Sequence, residues 1–158
     1  MSHQGEYSSL VPTPLLAQVS RWLRGIQVVC FVGAGLKHAH DIWQGGWFPY
    51  AYAPPAVNVF WTTLVAWDTL TAGLLLWRPR VGVVLALLLM VTDVAVNSFV
   101  RFGQGFVDWY GGAPLQLQTL FLGFVAGAAP LVWLSAVRPT NALGVGASGT
   151  AKPNQAPP

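Results

Sequence analysis

Residues 57–100 read VNVFWTTLVAWDTLTAGLLLWRPRVGVVLALLLMVTDVAVNSFV, and this stretch decides the fold. Two apolar runs, 57–77 and 81–100, are joined by a turn containing Arg78-Pro79-Arg80. An α-helix rises 1.5 Å per residue, so about 20 apolar residues cross the roughly 30 Å of bilayer hydrocarbon. The stretch therefore predicts two membrane-crossing helices joined by a tight basic turn. Working outward, comparable runs occupy about 21–43 and 115–137. The expected fold is an all-α integral membrane four-helix bundle, antiparallel, within residues 21–138. Residues 1–20 form a polar N-terminal segment holding Pro12 and Pro14 and lacking the basic start of a removed leader. Residues 139–158, rich in Gly, Pro, Ala and Ser, are expected to be a disordered tail.

Composition agrees. Hydrophobic residues make up 54% and charged residues 8% of the chain, against about 25% charged in soluble domains. So few charges cannot cover a surface facing water, so lipid is the solvent for most of it. The basic residues fall between apolar runs rather than in a patch, which argues against a nucleic-acid partner. The single cysteine, Cys30, excludes an intrachain disulfide, a CxxC redox centre and a cysteine zinc site.

Charge asymmetry sets orientation. Arg21, Arg24, Arg78, Arg80, Arg138 and Lys152 lie at one end of the runs; Arg101, with Lys37 close by, lies at the other. Positive residues favour the cytoplasmic side, so both termini are expected inside, in a bacterial-type plasma membrane. Trp22, Trp77 and Trp133 would mark the inner interface, and Trp43, Trp47, Trp61 and Trp109 the outer one. The outer loops, 44–56 and 101–114, are aromatic and rich in Pro or Gly. They suit either a resting place among lipid headgroups or a lid over the bundle mouth.

The chemistry lies in polar residues set inside apolar runs. By helical rise, Asp68 sits about 16 Å below the outer end of its run, Asp93 about 12 Å, His38 about 8 Å and Asn97 about 6 Å, with Asp41 near the surface. All fall in the outer half. Gln27, Phe31, Ala34, His38 and Asp41 share one helical stripe; Asn58, Trp61, Val65 and Asp68 share another; Ala86, Met90, Asp93 and Asn97 a third. His40 points elsewhere. An intramembrane aspartate facing lipid costs about 2.5–3.5 kcal/mol on insertion scales, so the stripes are expected to face inward. There Asp68 and Asp93 would share a proton or be countered by His38.

Three readings of this cluster stay open. It can be a hydrogen-bonded packing device in an accessory or structural subunit of a membrane complex, including a redox one. It can be a proton-handling site, His38, Asp41, Asp68, Asp93 and Asn97, in a membrane enzyme or binding protein for an apolar substrate. It can be a metal site built from His38, Asp41, Asp68 and Asp93, although no ligand-spacing signature accompanies them. A haem is disfavoured because the two membrane histidines lie two apart on one helix. No cofactor is otherwise indicated. The expected partners are the lipid bilayer and either a membrane-protein partner or a second copy. Gly123-x-x-x-Gly127 fits close packing within the bundle or between chains. Four helices enclose too little volume for a water-filled pore in one monomer.

RWLRGIQVVCFVGAGLKHA, through Arg24, Gly25, Gly35 and Lys37, resembles the opening helix of DoxX-like small membrane proteins. WDTLTAGLLLWRPRVGVVLALLLM resembles the family's acidic second helix, basic turn and third helix, with Asp68 at the acidic position. The resemblance spans about residues 21–137. It implies a bacterial plasma-membrane protein, sometimes linked to quinol oxidation or oxidative-stress complexes, and assigns no catalytic residue. The run His38-Ala39-His40-Asp41 and the Asp93/Asn97 pair depart from that pattern.

Overall fold

Prolines open three of the four helices. Pro14, Pro55 and Pro79 each sit at a first helical position, where the missing amide proton costs nothing and the fixed φ suits the helix. The computed structural model describes residues 14–103 and 113–136. Helix α1 spans Pro14–Gly45, α2 Pro55–Trp77, α3 Pro79–Ser98 and α4 Ala113–Ser135. A π-helical turn, Phe99–Gly103, continues α3. Residues 1–13, the C-terminal tail and the loop segment 104–112, with Asp108 and Trp109, lie outside the described residues.

All four helices are long and apolar enough to cross a membrane. Helix α1 is longer than the apolar run alone suggests. It begins seven residues before Arg21, because Pro14 starts a helix that Leu15, Leu16 and Ala17 readily extend. Arg21 and Arg24 therefore lie within α1 rather than ahead of it.

Each helix packs on two neighbours, α1 on α2, α2 on α3, α3 on α4 and α4 on α1, and among the described residues no backbones come close across either diagonal. The ring encloses Phe31, Leu75, Val83, Ala86, Val125 and Val132, all essentially without exposure. Outside it stand Val29, Leu36, Leu76, Leu88, Leu117 and Leu120, each more than half exposed. Water does not tolerate so continuous an apolar exterior; hydrocarbon does.

Two close approaches fix the packing. Arg78 alone connects α2 to α3, closing the first helix and opening the second. Its amide donates to the Leu74 carbonyl (2.8 Å), and its own carbonyl accepts from Gly82 (2.9 Å). A β-carbon at Gly82 would lie against the backbone of Leu74 and Leu75, so glycine is the residue that lets the hairpin close. At Gly35, a β-carbon would meet Thr69 Oγ1 at 3.2 Å and Asp68 Cβ at 3.5 Å, which shows how tightly α1 seats on α2.

Two expectations need correction. Trp61 is buried, as its stripe with Asn58 and Asp68 requires, and is no lipid-facing girdle residue: its ring lies 5.2 Å from that of Tyr50 and 6.2 Å from that of Tyr52. Nor does packing within the bundle explain the glycine pair of α4, since a β-carbon at Gly123 or Gly127 would meet nothing within 4 Å. Both face outward.

Candidate functional site at the bundle mouth

Asn58, in the first turn of α2, is polar, buried and turned inward. Such an amide needs partners. It finds them in the preceding loop: its Oδ1 accepts from the Tyr50 amide (3.2 Å), and its Nδ2 donates to the Phe48 carbonyl (3.3 Å). Gly46, at φ +79°, turns the chain back after α1. These anchors fold residues 46–54 over the bundle, where Tyr50 and Ala53 join the core. For this loop the geometry favours the cover over a strand resting among headgroups.

Tyr50 then organises the ionisable residues. Its hydroxyl donates to Asp41 Oδ2 at 2.8 Å and lies 2.9 Å from His38 Nδ1. With that proton committed to Asp41, the tyrosine oxygen accepts from Nδ1–H, which leaves Nε2 as the exchangeable nitrogen of His38. Nε2 points at Asp68 Oδ2, 4.0 Å away. Asp68 lies within electrostatic reach of Asp93. Asp93 in turn is held by Asn97, whose Nδ2 donates to its carboxylate and its backbone carbonyl, both at 2.8 Å. Asp68 and Asp93 are only 5% and 8% exposed, and both face the interior. The three polar stripes meet.

All five candidate residues thus lie in one region, but they are not equivalent. Asp41 is half-buried at the rim of the mouth, where Lys37 clamps both of its oxygens at 2.5 and 2.6 Å. Asp68 and Asp93 belong to the interior, and His38 with Tyr50 joins the two. His40 is exposed and bonds Gln44 one turn on, away from the cluster.

A cavity of about 320 Å³ opens beside this chain. His38, Asp93, Asn97 and Gln118 give it polar walls, and Tyr52 and Trp61 an aromatic one. Lys37, Asp41 and Arg101 stand around it as well. Gln118 Oε1 is buried and accepts no hydrogen bond from the described residues. The volume is within the range of small-molecule sites, and apolar walls with a few convergent polar groups are their usual construction.

Among the described residues, no three of His, Cys, Asp and Glu converge on one point that a metal ion would occupy. Lys37 and Tyr50 occupy the Asp41 carboxylate, and Asn97 engages that of Asp93.

Sequence reasoning did not reach Tyr50 or Gln118, and it named Lys37 without placing it in the cluster. Tyr50 lies 9 residues from Asp41 and 12 from His38, at the end of a turn no periodicity describes. The signal available was Asn58, whose inward position in an apolar helix required partners from the adjacent loop. No protein-family model matches the chain, and comparisons with curated proteins and with solved structures find no match either.

Proposed function

We propose that this chain is a multi-pass membrane protein that binds a small, largely apolar molecule at one mouth of its bundle and exchanges a proton with it. The observation that carries this reading is the chain Asp41–Tyr50–His38–Asp68 beside a cavity of about 320 Å³. The proton step balances within the residues present: a proton on Asp68 Oδ2 moves to His38 Nε2, turning a neutral pair into an imidazolium and a carboxylate. At 4.0 Å the pair is too long for a direct hydrogen bond. One bridging water, or a modest side-chain shift, closes it. Asp93 and Gln118 Oε1 favour a ligand carrying an O–H or N–H donor, and Trp61 and Tyr52 favour one with a flat apolar body.

The bundle is read as antiparallel, with both termini cytoplasmic in a bacterial-type plasma membrane and the mouth outside. The Ser20–Ser135 hydrogen bond supports the antiparallel pairing of α1 with α4, and the arginines at the opposite end from the mouth support the orientation. Membership of the DoxX-like group is proposed on Arg24, Gly25, Gly35, Lys37 and Asp68.

The test is mass spectrometry of small molecules retained by protein purified in mild detergent, with Asp93→Asn alongside. The expected result is a retained amphiphile in the wild type, lost from a variant that melts as before. An empty wild type, with Asp93→Asn lowering the melting temperature, overturns the binding reading and favours an accessory subunit whose polar cluster ties helices together.

A further inference from the structure

Gln27 is fully buried, and neither its Nε2 nor its Oε1 has a hydrogen-bond partner among the described residues. A primary amide in a dry apolar core is costly, and the usual remedy is internal water, which needs two to four polar contacts. Gln27 lies on the same stripe of α1 as His38, eleven residues or about 16 Å toward the other end.

Its surroundings follow from two contacts. The Ser20–Ser135 bond sets the register of α1 on α4 and brings Gln27 level with Ala128, a small buried residue. Gly35 against Asp68 sets α1 on α2 and brings Gln27 level with Leu76, five residues or about 7.5 Å of rise from Thr71, a gap for internal water to span. Thr71 is completely buried, and its hydroxyl donates to the Trp67 carbonyl at 2.8 Å, which leaves its oxygen able to accept. Polar side chains therefore recur along the whole bundle: Ser20, Gln27, Thr71 and Asp68 buried, with half-buried Ser135 at one end and half-buried His38 and Asp41 at the other. From Ser20 to Asp41, α1 rises about 32 Å, the thickness of the hydrocarbon layer.

We propose that these side chains, completed by internal water at Gln27, form a hydrogen-bonded file that carries protons between the cavity mouth and the opposite face of the membrane. The proposal rests on the proton-handling reading of the mouth and extends it to the full span. With the hydrogen bonds as they stand, a proton leaves Asp68 for His38 Nε2 while the Nδ1 proton passes to Tyr50 and the Tyr50 proton to Asp41; inward passage follows once these bonds have turned round. Each later step breaks one O–H bond and forms the next through water, with Thr71 and Gln27 orienting that water. The net result is one positive charge moved across the membrane. No open pore is required, only single-file hydrogen bonds.

The experiment is proton flux into liposomes holding the full chain and a trapped pH-sensitive dye, driven by a valinomycin-clamped potassium gradient. Wild-type liposomes are expected to acidify faster than protein-free ones. Gln27→Leu, which replaces the unpartnered amide with an apolar side chain, is expected to keep or raise the melting temperature. It should cut flux about tenfold, the effect of losing one hydrogen-bonded step. Thr71→Val provides the same reading should the leucine variant fail to fold. Wild-type flux no faster than lipid alone, or flux unchanged in either folded variant, overturns the file. Because retention of the mouth ligand is measured separately, Gln27→Leu protein that keeps its ligand distinguishes failure of the file from failure of the binding site.

Discussion

Tyr50 is the residue on which the mouth depends. It touches His38 and Asp41 through one oxygen, and its backbone is pinned by Asn58. Tyr50→Phe removes the hydroxyl alone and leaves the ring contact with Trp61 in place. His38 Nδ1 and Asp41 Oδ2 then lose a shared partner, a change expected to cost about 1–3 kcal/mol for partly buried polar groups. Thermal unfolding in detergent, monitored by tryptophan fluorescence, checks the stability. The imidazole also loses the acceptor that fixes its tautomer, so proton exchange in the variant should slow by more than its melting temperature predicts. Unchanged stability and exchange would mean that the two contacts are incidental. Asn58, by contrast, acts on the loop and not on the chemistry, since its partners are the backbones of Tyr50 and Phe48.

Among the elements, the α2–α3 hairpin is the most tightly determined, and the reason is steric. Its connection is a single residue, Arg78, and Gly82 lies directly on the end of α2. Gly82→Ala would place a methyl group 2.7 Å from the Leu75 α-carbon, where backbone and not a flexible side chain must yield. Overpacking of this kind costs about 1–3 kcal/mol. A drop in melting temperature is expected, whereas Gly123→Ala on the open face of α4 should leave it unchanged. The pair of variants measures the difference directly. This hairpin was also the element most legible in the sequence, because two apolar runs flanking Arg78-Pro79-Arg80 admit few other arrangements. The inward turn of Asp68, Asp93 and His38 was legible for a related reason: helical period and the cost of charge in lipid leave one direction. What the sequence did not disclose was the link between them. The Tyr50 bridge depends on a loop path set by Gly46, Asn58 and Ala53, and no repeat or periodic pattern encodes such a path. The start of α1 was missed because Leu15 to Ala17 extend the helix beyond the apolar run used to locate it. For Trp61 the two sequence readings pulled apart: depth marked it for the outer interface, whereas the stripe it shares with Asn58 and Asp68 faced it inward, and its burial follows the stripe.

At the scale of the molecule, the charges divide along the bundle axis. Arg78 and Arg80 occupy the α2–α3 turn, and Arg21 and Arg24 the first half of α1. Lys37 and Arg101 stand at the cavity end, but Lys37 is neutralised by Asp41. The orienting charge is therefore concentrated at the arginine end, the cytoplasmic one in the orientation proposed above. Accessibility of engineered thiols tests this. Cys30 is exposed and is replaced first, by Cys30→Ser, so that the background is silent. In that background Trp47→Cys reports on the mouth, because Trp47 is exposed in the covering loop. Arg78→Cys reports on the opposite end and leaves the other arginines to hold the orientation. A membrane-impermeant maleimide applied to intact cells should label the cysteine at position 47, and should reach position 78 only after the membrane is opened. The reverse pattern would turn the molecule over: the cavity would face the cytoplasm, its ligand would come from inside the cell, and protons would enter the file from the Ser20 end.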